Sequence, residues 1–197
     1  MSDSAERPGK APEEHPQQER TSDEVIEEMY NRYPMMLFSG ATASQVTAVQ
    51  ELGNEILCLI KQSKLEERSL DSAKIKHAYN LFWFWVLGAY EVLRTMDQHK
   101  KCFTATVRIE ISELKKKLAA VRVPFAKQEM PGKHREPISS SDLSIYGFGS
   151  DLDTILYQIQ GKSYDAVALI RNVMQFFHGI NREAIIGAMP CRRVTNR

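Results

Sequence analysis

Leu81–Tyr90 reads LFWFWVLGAY, ten consecutive residues without a polar side chain other than the closing tyrosine hydroxyl. Its flanks, AKIKHAYN before and YEVLRTM after, carry apolar residues at helical spacing. The whole stretch from Asp71 to Met96 is therefore expected to be one helix. Ile75, Ala78, Phe82, Trp85, Val86, Ala89, Leu93 and Met96 fall on one face. Leu81, Phe84, Gly88 and Val92 fall on a second, and Trp83, Leu87 and Tyr90 on a third. A helix apolar on every side is expected to be covered on every side, at the centre of a bundle or at an interface between subunits.

Three other readings of this stretch fail on length or place. The β-propensity of LFWFWV suits a buried strand, but the periodic flanks run too long for one. The uncharged run Ala78–Tyr90 spans only about 20 Å at helical rise, short of the roughly 30 Å hydrocarbon core of a bilayer. A signal peptide would stand at the amino terminus, where this chain is polar. The sequence thus predicts no membrane span and no leader.

Working outward, two further seams flank the central helix. Val46, Val49, Gly53, Ile56 and Ile60 step by three and four residues through a helix expected over about Gln45–Lys64, with Ser44 as its cap. Gly53 interrupts an otherwise bulky seam, which suits close approach of the large central aromatics. Val107, Ile111, Leu114, Leu118 and Val121 repeat the pattern through Phe103–Val121, and Pro124 is expected to stop that helix. A short connection at His99-Lys100-Lys101 makes it the antiparallel partner of the central helix.

At the amino-terminal side, SDEVIEEMYNRY is expected to be a short helix capped by Ser22 or Asp23, its apolar side Val25, Ile26, Met29 and Tyr33. MMLFSGATAS reads as a loop broken at Gly40. Toward the other end, EMPGKHREPISSSD reads as an exposed loop, IYGFGSD as irregular, Thr154–Ile159 as a short extended piece and QGKS as a turn. A last helix, Tyr164–His178, capped by Ser163 or Asp165, presents Val167, Ile170, Met174 and Phe177 to the core, and one more helical turn reaches Ile186.

The predicted fold class is mostly all-α: an up-down bundle of four to five helices with a short extended piece before the last helix. Residues 22–187 form the bundle, between an acidic tail at 1–21, too poor in apolar groups to order itself, and a basic flexible end at 188–197. The net charge of +1 conceals a segregation. Nine acidic residues stand in the first thirty against Arg7, Lys10 and Arg20. Lys115, Lys116, Lys117, Arg122, Lys127, Lys133 and Arg135 stand together later in the chain against Glu129. Those seven are the candidate anion or nucleic-acid surface, with Phe125 as the aromatic available for stacking. The competing reading makes Lys115–Lys117 a solvated helix face. Arg122, Lys127 and Glu129 are a further candidate, for a small anionic ligand at a helix end.

Arg171-Asn172 and His178 give an Arg-x6-His spacing on the last helix. The pattern resembles the motif of the HEPN family of all-α ribonucleases, in which an Asn or Asp often follows the arginine. The resemblance implies RNA cleavage without a metal: His178 as general acid or base, Arg171 on the scissile phosphate. Arg94 and His99 fit the shorter x4 version equally well. The structural alternative has Arg171 paired with an acidic neighbour and His178 placed near the negative pole of the helix.

There is no phosphate-binding loop, no Walker sequence and no HExxH, and Gly147 and Gly149 lack the strand and helix of a dinucleotide fingerprint. The sequence predicts no cofactor and no metal. Cys58, Cys102 and Cys191 are widely spaced, so the expectation is free thiols in a reducing, cytoplasmic setting. The leading functional expectation is a non-enzymatic interaction or regulatory protein, meeting a protein partner or a second copy of itself through the aromatic central helix. The HEPN-like ribonuclease and a helical sensor with an aromatic-lined ligand pocket are the alternatives.

Overall fold

A computed structural model describes residues 21–66, 69–127, 129, 137, 145–159 and 161–189. The expected amino-terminal tail, apart from Thr21, lies outside these residues, as do nearly all of the expected loop at 129–142 and the end of the chain. The order of elements is α1 (Ser22–Arg32), α2 (Met35–Phe38), α3 (Gly40–Gln62), α4 (Ser72–Gln98), α5 (Ala105–Lys127), β1 (Ile145–Phe148), β2 (Ile155–Ile159), β3 (Lys162–Asp165) and α6 (Ala166–Gly179). The fold is mostly helical, with a small antiparallel sheet before the last helix.

The central stretch is helix α4, started by Asp71, whose side chain accepts from the backbone N–H of Ala73 and Lys74 at 3.0 and 3.2 Å. Every residue of its first predicted face, from Ile75 to Met96, is buried. Trp85 is the keystone: it is fully buried, its indole N–H donates to Val49 O of α3 at 3.1 Å, and it lies parallel to Phe82. Phe82 in turn stacks on Tyr157 of β2 with ring centres 5.1 Å apart, and Phe125 of α5 closes both edge-on. One aromatic column thus joins α4, α5 and the sheet.

Coverage on all sides is not what α4 has. Trp83 and Phe84, stacked on each other at 5.3 Å, remain 38 % and 58 % exposed. The reason is geometric. Phe82 and Trp85 consume the neighbours available, because α3, α5 and β2 all pack toward that one face, and nothing among the described residues is left for the other.

Helix α3 begins five residues before the predicted Gln45. Ser39, not Ser44, is its cap, accepting from Thr42 N at 3.3 Å, so Gly40 opens the helix instead of breaking it. The preceding residues, read as loop, form the single turn α2, which buries Met35 and Phe38. The seam from Val46 to Ile60 is buried throughout. A Cβ at Gly53 would stand 3.0 Å from Met174 Sδ, 3.1 Å from Ile170 Cγ2 and 3.1 Å from Trp85 Nε1. The glycine therefore permits the close approach expected of it, toward α6 as well as α4.

Helix α5 runs antiparallel to α4, since Asp97 meets Lys115, Tyr90 and Glu91 meet Arg122, and Phe82 meets Phe125 as one chain ascends and the other descends. It continues through Pro124 to Lys127 instead of stopping. A proline there forfeits one backbone hydrogen bond near the helix end. Burial of Pro124 and Phe125 against the aromatic column holds the last turn in place.

Three strands stand where one was expected. β2 is the predicted extended piece, its Ile155, Tyr157 and Ile159 buried. β1, in the stretch read as irregular, pairs with it antiparallel through Ile145–Tyr157 and Phe148–Ile155, with an irregularity between Ile145 and Gly147 that obscured the alternation. β3 pairs Lys162–Ile159 through Asp165–Leu156, and Gly161 at φ +73° makes the turn, as QGKS indicated. Asp165 caps α6, accepting from Ala168 N at 2.8 Å and from the hydroxyl of buried Thr154, which itself accepts from Val167 N.

Helix α1 differs from expectation more sharply. Thr21 is its cap, in a reciprocal capping box with Glu24. None of its residues is buried, and Val25 and Ile26 of the predicted apolar side are about half exposed. Among the described residues, no helix is long and apolar enough to cross a membrane.

Candidate functional site

Helix α5 carries the basic residues, and its neighbour decides what they can do. Lys115 pairs with Asp97 of α4, and Arg122 reaches Glu91 at 3.6 Å while its guanidinium lies over Tyr90 at 5.0 Å. Arg94 joins the same carboxylate, Glu91, at 2.6 Å. The charge segregation along the sequence is thus partly undone in space: α4 supplies carboxylates to Lys115 and Arg122 of α5. Such half-exposed pairs are worth about 0–1 kcal/mol each, and they orient helices more than they stabilise them. Lys116, Lys117 and Lys127 remain exposed. Lys117 stands in a groove between α5 and α6 shared with Glu110 and Glu113, a mixed-charge lining and not a cationic one. Lys133 and Arg135 lie outside the described residues. Arg122 and Lys127 are both on the last turns of α5, but Arg122 is held by Glu91 and Tyr90.

His178 is exposed at the last turn of α6, at the helix's negative end. It lines a cleft of about 540 Å³ between the α1–α2 turn, α3 and the exit of α6, together with Arg32, Tyr33, Asn181 and Arg182. Arg171 does not line that cleft. It is exposed nearly two turns earlier on α6 and makes no ion pair among the described residues. The cationic groups near His178 are instead Arg32, whose guanidinium lies 5.5 Å from the Tyr33 ring, and Arg182, which pairs with Glu27 of α1. Of the second Arg–His pair, Arg94 is engaged by Glu91, and the ring of His99 lies 6.4 Å from that of Phe38. Among the described residues, no group of three or more His, Cys, Asp or Glu could hold a metal ion.

The exposed aromatics form the more distinctive surface. Phe84 borders a shallow groove of about 250 Å³ between α3 and α4, lined by Ala48, Leu52, Gly88, Val92 and, at its end, Glu91. The groove exists because Ala48 and Gly88 are small where the two helices face outward. Its walls are carbon almost throughout, with Gln45 and Glu91 as the polar rim. Ridge and groove lie side by side on one face, and His77, Phe84 and Glu91 follow one another at intervals of seven residues along it.

A second apolar hollow, about 550 Å³, lies between Ile75 and Tyr79 of α4 and Ile145 and Phe148 of β1. Behind it, Tyr157 faces Ile145 across the strands and is fully buried, and its hydroxyl has no hydrogen-bond partner among the described residues. Burial pushes that phenol well above its ordinary value, with Tyr79 adding to the effect. It is a neutral group at any physiological pH.

The sequence marked Phe84 and Trp83 only as apolar. What singles them out is that they are exposed, which depends on which face the neighbours choose. Comparison with protein families, with characterised proteins and with solved structures finds no match to this chain.

Proposed function

We propose that this is a non-catalytic helical interaction protein whose working surface is the Phe84 face of α3 and α4, and that the face receives a second copy of the same chain. The observation that carries the reading is the adjacency of an exposed aromatic ridge and an apolar groove on one surface. A face that holds both a knob and its hole is self-complementary under a two-fold axis. With that axis near Phe84 and the two α4 helices antiparallel, residues seven before and seven after Phe84 come opposite each other. His77 of one copy then comes opposite Glu91 of the other, a hydrogen-bonding pair at the rim of the apolar fit. Aromatic anchors at the centre of a patch with polar groups at its rim are the usual energetic arrangement of an interface.

Sedimentation equilibrium of the full chain tests this. The expected result is a dimer at micromolar concentration, and a monomer of unchanged helical circular dichroism for Phe84→Glu. A wild-type chain that stays monomeric at high concentration overturns the reading.

The ribonuclease alternative draws less from the geometry, because the cleft at His178 does not include Arg171. His178→Ala is expected to leave an RNA substrate's fate unchanged. Cleavage by the wild type that this substitution abolishes would replace the interaction reading with the catalytic one.

A further inference from the structure

We propose that the cleft at the exit of α6 binds a small monocarboxylate with an apolar body, and that Glu27 of α1 holds the place of the ligand's carboxylate until it arrives. The cleft, of about 540 Å³, shares no lining residue with the groove at Phe84. It has a floor and two walls. Met35, Ala43, Val46, Phe177 and Ile180, all buried, make the floor apolar. One wall is the end of α1 at Asn31, Arg32 and Tyr33, and the other is the turn after α6 at Asn181, Arg182 and Glu183.

The ion pair between Glu27 and Arg182 joins these two walls. Arg182 thus already receives a carboxylate, brought by an exposed side chain. The helix that brings it is weakly held. None of the residues of α1 is buried, and it gives way to Tyr33 at φ −128° and ψ 70°, outside the helical range, with Pro34 next. Its eleven residues are too few for a helix to be stable in water alone. An exposed pair adds little to hold it, so Glu27 yields Arg182 at small cost.

Charge and surface together select the ligand. Arg32 makes no ion pair among the described residues, and its guanidinium lies 5.5 Å from the Tyr33 ring at the mouth of the cleft. His178 lines the same space and offers a ring N–H as donor. Against these stand Glu183 and the negative poles of α1 and α6, which both end here. With Glu27 displaced, two guanidiniums face one carboxylate, an excess that suits a monoanion and not a dianion. The fork of Arg182 matches a carboxylate, and the apolar floor favours a carbon body behind it over a small hydrated ion. Binding releases Glu27 to water and takes from α1 its bond to the far wall, so occupancy of the cleft is coupled to the freedom of α1.

The test titrates the full chain with phenylbutyrate, a phenyl ring on a short alkyl chain ending in one carboxylate, and follows the heat released. Phenylbutanol and phenylbutylamine are the neutral and cationic controls. Saturable binding of the carboxylate is expected, and clearly weaker binding of both controls. Glu27→Gln removes the internal competitor and should tighten binding about two- to fivefold, given the strength of such exposed pairs. Arg182→Gln should weaken it about tenfold or more. Arg171→Gln, outside the cleft, should bind as the wild type does. No binding by either the wild type or Glu27→Gln, an amine bound as well as the carboxylate, or an Arg182→Gln protein of wild-type affinity would each overturn the site. A Glu27→Gln protein that binds no tighter than the wild type would overturn the displacement of Glu27.

Discussion

Replacing Gly53 by alanine sets two effects of known sign against each other. Alanine is favoured over glycine inside a helix by about 1 kcal/mol. The same methyl at position 53 would enter a space bounded at 3.0 Å by Met174 Sδ, 3.1 Å by Ile170 Cγ2 and 3.1 Å by Trp85 Nε1. Contacts that tight require each neighbour to withdraw by a few tenths of an ångström. The methionine thioether is flexible and can do so. Trp85 cannot easily follow, since it is fully buried, bonded to Val49 O and stacked on Phe82. Overpacking of this kind costs about 1–3 kcal/mol, so the net expectation is a loss of about 1 kcal/mol, or roughly 2–4 °C in Tm. Gly88, with both variants made in the Phe84→Glu background so that the proposed dimer does not enter, is the internal control. Its Cβ would meet only Val49 Cγ2, at an ordinary 3.5 Å, so Gly88→Ala should gain up to about 1 kcal/mol. Urea unfolding of both variants, followed by circular dichroism, reads the difference. A Gly53→Ala protein as stable as Gly88→Ala would refute the claim that Gly53 exists to let α4 and α6 close on α3.

Tyr157→Phe removes a buried hydroxyl that has no partner among the described residues and keeps the ring that stacks on Phe82; it should raise stability by about 1 kcal/mol, read by urea unfolding, and a clear loss would mean the hydroxyl is satisfied. Asp71 is held below the ordinary carboxylate range chiefly by its side-chain bond to Lys74, then by the backbone N–H of Lys74 and Ala73. A depressed carboxylate contributes stability above its unfolded value and loses it as pH falls through its folded one. Asp71→Asn, which keeps a capping acceptor but not the charge, should therefore lose less Tm than the wild type on acidification below about pH 4. Arg122→Ala should leave Glu91 with Arg94 alone and cost little, about 1 kcal/mol or less by thermal unfolding. A large loss would mean that the stacking over Tyr90 anchors α5.

Much of this fold is legible because the seams are periodic. The buried faces of α3, α4 and α5 include every residue that spacing selects, with Thr42, Ala43, Val92, Pro124 and Phe125 added, and α6 uses its predicted face with Ala166, Leu169, Val173 and Phe176 added. What spacing misreads is local. Ser39 outcompetes Ser44 as a cap because the single turn of α2 delivers it in extended geometry, and Pro124 is carried by the burial of Phe125. β1 hid behind its irregular pairing with β2. The candidate sites were harder, because each depends on a partner remote in sequence. Lys115 and Arg122 look free until Asp97 and Glu91 are set beside them. Arg171 and His178 share a helix yet not a cleft. Cys102 carries no spacing signal at all; only the backbone bonds after α6, such as Ile186 N to Cys102 O, bring that later stretch of chain to it.

Trp83 and Trp85 stand two residues apart, and only Trp83 belongs to the proposed interaction face. Trp85 is fully buried and Trp83 is 38 % exposed beside Phe84. Fluorine NMR of the full chain labelled with 5-fluorotryptophan gives one resonance for each, assigned through Trp83→Phe. If the Phe84 face receives a second copy, raising the protein concentration shifts the Trp83 resonance and shields it from a paramagnetic co-solute, while the Trp85 resonance stays fixed and protected throughout. A Trp83 resonance whose position and paramagnetic broadening are the same at every concentration would contradict it.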